Sequence, residues 1–526
     1  MRGKLYQILF LIIFLSFFSL ALRYYGVNTH VVSEQITLPE EYDITYVTEE
    51  TIKTLDPAEA NNLSEAKALV NIFEGLVRFK PNSTEVEPCL AISWEVSPDG
   101  LSWTFTLRQG VLFHDNTPFN AEAVKFSVER QLQPLKRDNM TYGSFTFGVV
   151  KAVDVIDDYT VKFTLNSPYA PFLRNLAMPW AAPIVSPTSV SKQGDNFYKN
   201  PAGTGAYSLG GWNRENPVLI ANQSYWGKRP KINSILFAHG TVNERINSVN
   251  SGLADIADIP AKQLAKLTKE NMSKLSQPSA SLGYLGMYND RPPFNNSRIR
   301  RAICVAMDRK EIAQELFGDN SLAANSVLPP LILGYNKDLT PYSGGAQNAK
   351  ELLRAAGYPN GIDITLISYT SPRPYNPIGS TLLADIVKRQ LAKADIRVTI
   401  KSYPWHEFKT ALNNQQGDAF LFGWVGDNMD PDNFLYTLLA SGATPQTNLT
   451  KYKNSEVDRL ISAAQKEHDE SVRKRLYFHA QQIILQDTPM VFLNYGKDTI
   501  AVADYIKEVS LNPFGLPLFK DAYIKK

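Results

Sequence analysis

The sequence predicts an α/β chain with a separate β-rich domain ahead of its α/β part, on three observations. At 526 residues it is too long for one ordinary core, so two or three domains are expected. Its first half alternates apolar and polar residues at a period of two. Its second half, past about residue 290, alternates helical periodicity with short apolar runs.

Taken in order, residues 23–42 read as a connecting segment. Leu101, Trp103, Phe105 and Leu107 then alternate with Ser102, Thr104, Thr106 and Arg108, a half-buried strand. Val153 and Val155, then Val161, Phe163 and Leu165, flank Asp157-Asp158 as a hairpin. Asn120 is a natural N-cap for a helix from Ala121 to about Leu132. Further on, Ile299, Ala302, Ile303 and Ala306 form one helical face, and Asp308 to Glu311 reads as a capping box. A helix from Gln347 to Ala356 should stop at Gly357. A strand from Ile362 to Tyr369, a helix carrying Leu382, Leu383, Ile386, Val387 and Leu391, and a strand through Ile396, Val398 and Ile400 follow. A helix from about Trp405 to Asn413 leads to a further apolar run. Strands alternating with helices need crossover connections, so a largely parallel sheet is expected.

That last run, Phe420 to Phe434, carries the chemistry. It ends as Gly423-Trp424-Val425-Gly426-Asp427-Asn428, followed by Asp430 and Asp432. In open α/β sheets ligands sit outside the carboxyl ends of the strands, which puts Asp427 where a fixed anion could meet a ligand's cation. The strand ending at Tyr369 empties into Ser371-Pro372-Arg373-Pro374-Tyr375-Asn376-Pro377, offering a guanidinium at the same sheet edge. One anion and one cation on neighbouring strand ends suit a zwitterion such as a short peptide. The plainer readings are a helix N-cap for Asp427 and a surface loop residue for Arg373. Asp430, Asp432 and Asn433 read as caps of the next helix, while Trp424 and Tyr375 either wall a pocket or pack.

Other chemistries lack their tools. Fifty-four Lys and Arg against 52 Asp and Glu leave about +2, without the basic stripe of a nucleic-acid binder. The six histidines form no metal spacing, and neither a Gly-x-Ser-x-Gly elbow nor a Walker A loop occurs, so no cofactor, no metal and no catalytic residue is expected. Gly203-Thr204-Gly205 lacks the third glycine of a dinucleotide fingerprint. Asp427 to Asp432 lacks the glycine and terminal glutamate of an EF-hand loop. His114 reads as a turn residue and His406 as a solvated helix-start residue.

Arg2 and Lys4 precede the apolar run Ile8 to Leu22, an n-region and an h-region. Ser19-Leu20-Ala21 offers a cleavage site, and residues 5–22 are alternatively long enough for a retained inner-membrane anchor. Either way the remainder is expected in the periplasm or cell envelope. No cysteine follows the run, which argues against a lipid anchor. Cys89 and Cys304 are the only thiols; a disulfide is open to them, but their apolar neighbours favour two inert buried thiols.

Leu90-Ala91-Ile92-Ser93-Trp94-Glu95-Val96-Ser97-Pro98-Asp99-Gly100, continuing through Phe105-Thr106-Leu107-Arg108-Gln109-Gly110-Val111-Leu112-Phe113-His114-Asp115, resembles the most recognisable stretch of a known family. That family is the periplasmic dipeptide- and oligopeptide-binding proteins of ATP-binding-cassette importers, within extracellular solute-binding protein family 5. Gly203-Thr204-Gly205-Ala206-Tyr207 and Pro293-Phe294 with Arg298-Ile299-Arg300-Arg301-Ala302 resemble further landmarks, so the likeness runs from about Thr45 to Phe519. Arg373 to Pro377 and Gly423 to Asn428 are most similar to the dipeptide-binding branch.

The resemblance implies the two-lobed periplasmic binding protein fold of cluster C type, α/β with an extra β-rich domain. It implies a signal or anchor segment and linker over 1–42 and a domain I from 43–72, 202–289 and 491–526. Domain II would be 73–201 and domain III, the α/β ligand lobe, 290–490. It further implies that Asp427 holds a peptide's α-ammonium and Arg373 its α-carboxylate, with Trp424, Gly423, Tyr375 and Asn428 around them. The implied partners are a short peptide and the permease and ATPase subunits of an importer, with the receptor itself a monomer and not an enzyme. A nickel-chelate, haem or glutathione receptor on the same fold is the alternative; a peptide hydrolase would need a nucleophile–base or metal spacing that is missing.

Overall fold

The computed structural model describes residues 41–133, 142–318 and 321–525. The proposed signal or anchor segment lies outside them. Among the described residues, no helix is long and apolar enough to cross a membrane.

One large sheet organises the chain. Its strands are β1 (Ile44–Thr48), then, after the insertion described below, β2 (Tyr207–Asn213), β3 (Asn216–Ala221), β4 (Ser234–His239), β5 (Ile256–Asp258) and β6 (Met272–Met287). The α/β part adds β7 (Ile362–Tyr369), β8 (Ile396–Tyr403) and β9 (Ala419–Val425), and β10 (Met490–Ala503) completes the path. Their spatial order is β8-β7-β9-β6-β10-β5-β1-β4-β3-β2, with Leu322–Ala323 pairing β10 as an eleventh strand. The expected parallel pairing holds where β7 runs parallel to β8 and β9, and β1 to β4 and β5, while β4, β3 and β2 pair antiparallel out to one edge. The centre departs from it. β6 and β10 are antiparallel to each other and to their outer neighbours, because the chain crosses the middle of the molecule once in each direction.

These two long strands split their pairing. Met272 to Pro278 of β6 face Ala503 to Lys497 of β10, beside β5. Leu282 to Gly286 face Tyr495 to Met490, beside β9. The register breaks between Pro278 and Leu282. Gly496 lies at that break, where an added Cβ would strike the Ser281 hydroxyl and come 3.2 Å from the Pro374 carbonyl. A β-bulge of this kind bends the ladder locally.

The β-rich insertion is a four-stranded antiparallel sheet with Ser102–Leu107 central, against Ala91–Val96 on one side and the hairpin Val150–Asp157/Thr160–Leu165 on the other. Trp103, Phe105 and Leu107 point inward, as their alternation requires. The cap residues behave as their chemistry dictates: Asn120 accepts from the Ala123 N–H and Asp308 from those of Lys310 and Glu311. The helix Gly345–Ala355 gives way at Gly357, whose φ of +92° few other residues adopt.

Two cores result. One fills the outer face of the α/β part, uniting Ile299, Ala302, Ile303 and Ala306 of the helix Ser297–Ala306 with Leu366, Val387 and Leu421. The other runs from Tyr46 through the insertion to Leu438, Leu460, Tyr477 and Phe519. His114 sits in the turn that its sequence suggests, closed by the Asn116 N–H on the Phe113 carbonyl, and its ring is tied down there: Gly203 N–H donates to its Nδ1 at 3.2 Å, and its Nε2 is 3.0 Å from the Gly205 carbonyl. The proton must then sit on Nε2, and burial pushes the ring down to about 4. The glycine pair serves this lock, since a Cβ on either would collide with the Ile72 carbonyl. Cys89 and Cys304 are both free and buried; burial pushes both thiols up, that of Cys304 to about 11.

Candidate functional site

Because β7, β8 and β9 are parallel, their carboxyl ends share one edge, and each delivers a different group. β9 extends past Val425 into Gly426-Asp427. Its backbone can carry a wall there because Gly423 has no side chain: a Cβ would fall inside the Tyr375 ring. Asp427 is partly buried, its N–H donating to Asn433 Oδ1 at 3.3 Å and its carboxylate accepting from the Tyr142 hydroxyl at 3.3 Å. It has no ion pair among the described residues. Burial pushes its carboxyl up to about 7, the Tyr142 hydrogen bond opposing this only in part.

β7 ends at Tyr369, and the loop behind it closes tightly: Arg373 and Asn376 exchange both backbone hydrogen bonds, at 2.9 and 2.7 Å. Asn494 of β10 clamps the loop by donating 3.0 Å to the Tyr375 carbonyl. Tyr375 is buried against Tyr369 and Phe422. Arg373 lies with its guanidinium carbon 3.5 Å from the centroid of the Trp405 ring. Its Nε is buried without a hydrogen-bond partner, and among the described residues the side chain has no ion pair within bonding distance. Desolvation pulls its pKa down, and Tyr375, Tyr369, Glu50 and Glu49 push the other way. These two glutamates line an open cleft with Thr51, Lys53 and Asn61.

The remaining site expectations divide. Trp424 is half-buried and donates 2.9 Å to Asn433 Oδ1, the atom that also receives the Asp427 N–H, so it braces the Asp427 turn. Asn428 is buried with its amide spent on Asn175 at 2.7 Å, and its Oδ1 accepts from Asp430 N–H. Asp430 is more than a cap. Fully buried, it takes a two-pronged bond from Arg473 at 2.8 and 3.0 Å, with Arg174 of the insertion at 3.6 Å. Asp432 receives the hydroxyl of Tyr169 at 3.1 Å and the Gln465 amide at 3.2 Å. Burial and the neighbouring Asp430 push its carboxyl up to about 7. Among the described residues no cluster of His, Cys, Asp and Glu is arranged to hold a metal ion.

Sequence reasoning missed Tyr142, Trp405 and Glu50. Trp405 was within reach, because β8 is parallel to β7 with Tyr403 opposite Tyr369, so its end belongs to the same edge. Tyr142 had no local signal, since it reaches Asp427 from 285 residues away.

A mixed sheet crossed twice by long central strands is the architecture of the two-lobed periplasmic binding proteins. The chain belongs to the bacterial extracellular solute-binding proteins, family 5, whose middle region matches residues 85–446. It is 31% identical over 470 residues to haem-binding protein A of Haemophilus influenzae, covering 85% of this chain and 86% of that protein. It is 30% identical over 480 residues to the dipeptide-binding protein of Escherichia coli, covering 87% and 89%. Among solved structures it resembles an ABC transporter-associated periplasmic binding protein from Helicobacter pylori in complex with the peptide STSA. That likeness has a TM-score of 0.76 at 30% identity and covers 92% of this chain and 98% of the other.

Proposed function

We propose that the protein is the non-catalytic substrate-binding component of an ABC importer, capturing short peptides, dipeptides above all, outside the inner membrane. The observation that carries this is a pair of charges unmet among the described residues: Asp427 without a cation and Arg373 without an anion, on neighbouring parallel strand ends. A peptide's α-ammonium and α-carboxylate complete both. Two extended residues span at most about 7 Å, so the pair works as a length gauge. A ligand that leaves one buried charge unpaired forfeits several kcal/mol, roughly.

Closure accompanies capture in this reading. Domain I is 43–72, 202–289 and 491–526, domain II is 73–201 and domain III is 290–490. The register break in β6 and β10 supplies the hinge. The receptor acts as a monomer that hands its ligand to permease and ATPase subunits. Calorimetry with a dipeptide and its N-acetylated and C-amidated forms tests the proposal: both blocked forms should bind at least about tenfold more weakly, by the worth of a charge-assisted hydrogen bond. Equal affinity for all three would refute it. The likenesses to a haem-binding protein and to a glutathione-binding protein support a second reading, in which haem or glutathione is the cargo. Native mass spectrometry of the purified protein separates these ligands by mass.

A further inference from the structure

Arg373 faces a ligand with almost nothing of its own to hold it. The Arg373–Asn376 bridge fixes its backbone, but its side chain makes no hydrogen bond or ion pair among the described residues, and Glu49 and Glu50 pull on it from across the cleft. An arginine with that freedom would present its donors over a range of positions. What it does touch is the face of Trp405, at 3.5 Å. A guanidinium over an indole face is attracted by the ring's quadrupole, and more so when desolvated.

Trp405 is itself wedged. Pro404 ends β8, and the indole opens the helix Trp405–Asn413 at the sheet edge. It stacks on Phe422 at 5.9 Å and 9°, receives Tyr369 edge-on at 5.6 Å, and leans on Phe408 at 5.8 Å. Phe422 belongs to β9, the strand that runs on to Asp427. One ring thus joins the cation's resting place to the strand that carries the anion.

We propose that Trp405 is a positioning residue that fixes how far the Arg373 guanidinium stands from Asp427, and so sets the length of peptide accepted. The inference rests on the peptide reading of the site and deepens it. Trp405 holds the guanidinium plane flat against one wall, leaving its donor edge free for a carboxylate at a single distance. Without the ring, the arginine follows Glu49 and Glu50 or extends to meet longer ligands, and the gauge loses its mark.

The test uses the exported chain as wild type, Trp405→Phe and Trp405→Leu. Calorimetry with Leu-Leu, Leu-Leu-Leu and amidated Leu-Leu reads the gauge, and thermal denaturation confirms that each variant folds. In Trp405→Leu the affinity for Leu-Leu should fall about 5- to 30-fold, the range a one- to two-kcal/mol contact spans. Leu-Leu-Leu should change less than about threefold, so that both the length preference and the amide penalty shrink. Trp405→Phe should keep most of each. In the unliganded protein, the Arg373 Nε–Hε NMR resonance (assigned by its loss in Arg373→Lys) should sit upfield in the ring current and move downfield in Trp405→Leu. An unchanged length preference and amide penalty in a folded Trp405→Leu overturns the proposal, as does an Arg373 resonance indifferent to the ring. A wild type that does not distinguish Leu-Leu from its amide defeats the peptide reading instead, and the gauge with it.

Discussion

Peptide affinity should fall as pH falls below 7, and Asp427 is the reason. In the free protein its carboxyl is pushed up to about 7 by burial, with Tyr142 the sole side chain bonding to the carboxylate among the described residues. A bound α-ammonium supplies the missing cation and pulls the carboxyl back toward the ordinary value of about 3.9. The sign follows: below pH 7 the free protein holds a proton that the complex must release, so acid favours the empty state. Well below pH 7 each pH unit costs about tenfold, giving roughly 50-fold weaker binding at pH 5 than at pH 7. Above about pH 7.5 the ligand's own ammonium, with a pKa near 8, begins to titrate, which bounds the useful window. Calorimetry from pH 5 to 7.5 in two buffers of different ionisation enthalpy measures affinity and released protons together. Asp427→Asn should bind weakly and without pH dependence over that range. An affinity that stays flat from pH 7 to 5, with no proton released at pH 6, would refute the reasoning.

Neighbouring acids should respond differently. Asp430→Ala leaves Arg473 buried without its carboxylate, while Arg174 keeps Glu470 at 3.2 Å, so it should lower stability by about 3–5 kcal/mol in denaturant melts. Asp427→Ala should not lower stability near neutral pH, since burial already disfavours its charged carboxylate, and should abolish the discrimination against N-acetylated peptide in calorimetry. Asp432 binds its proton more tightly folded, at about 7, than unfolded, at about 3.9, so its contribution to stability declines as pH rises between those values. Asp432→Asn should therefore be more stable than wild type at pH 8, by roughly 2 kcal/mol after relaxation, with the gap closing by pH 4 in thermal scans. Gly423→Ala drives a methyl into the Tyr375 ring and should cost about 1–3 kcal/mol of stability and displace the Arg373 loop, read as weakened binding of free but not C-amidated peptide.

The elements that were legible were those whose signals are local. The period-two run 102–107 and the face of Ile299, Ala302, Ile303 and Ala306 are set by burial on one side of one element. The strand-end argument placed Asp427 and Arg373 at one edge because parallel strands must end together. It also named Asp430 a cap, since its own turn accepts the Asp432 N–H at 3.0 Å. Its principal partner, Arg473, is 43 residues away, and Arg174 is further still. The expected parallel sheet likewise failed at its centre, because β6 and β10 are central by tertiary pairing and nothing in their own residues announces direction. Long-range partners, not local propensities, separate what was read from what was missed.

The position of β10 has a further consequence, for how the chain acquires its structure. The last long strand, Met490–Ala503, enters the middle of the sheet, between strands formed more than 200 residues earlier. The residues behind it, Phe514 and Phe519, pack on Phe79, Trp180, Tyr46 and Phe237 near the other end of the sequence. Neither half of the sheet can close its ladder until β10 has emerged, and such non-local pairing is slow to form. A nascent chain that stops short of β10 would expose two open strand edges and an unfilled aromatic core, an aggregation-prone species. The order of strands thus makes the arrival of β10 the event that commits the sheet to fold.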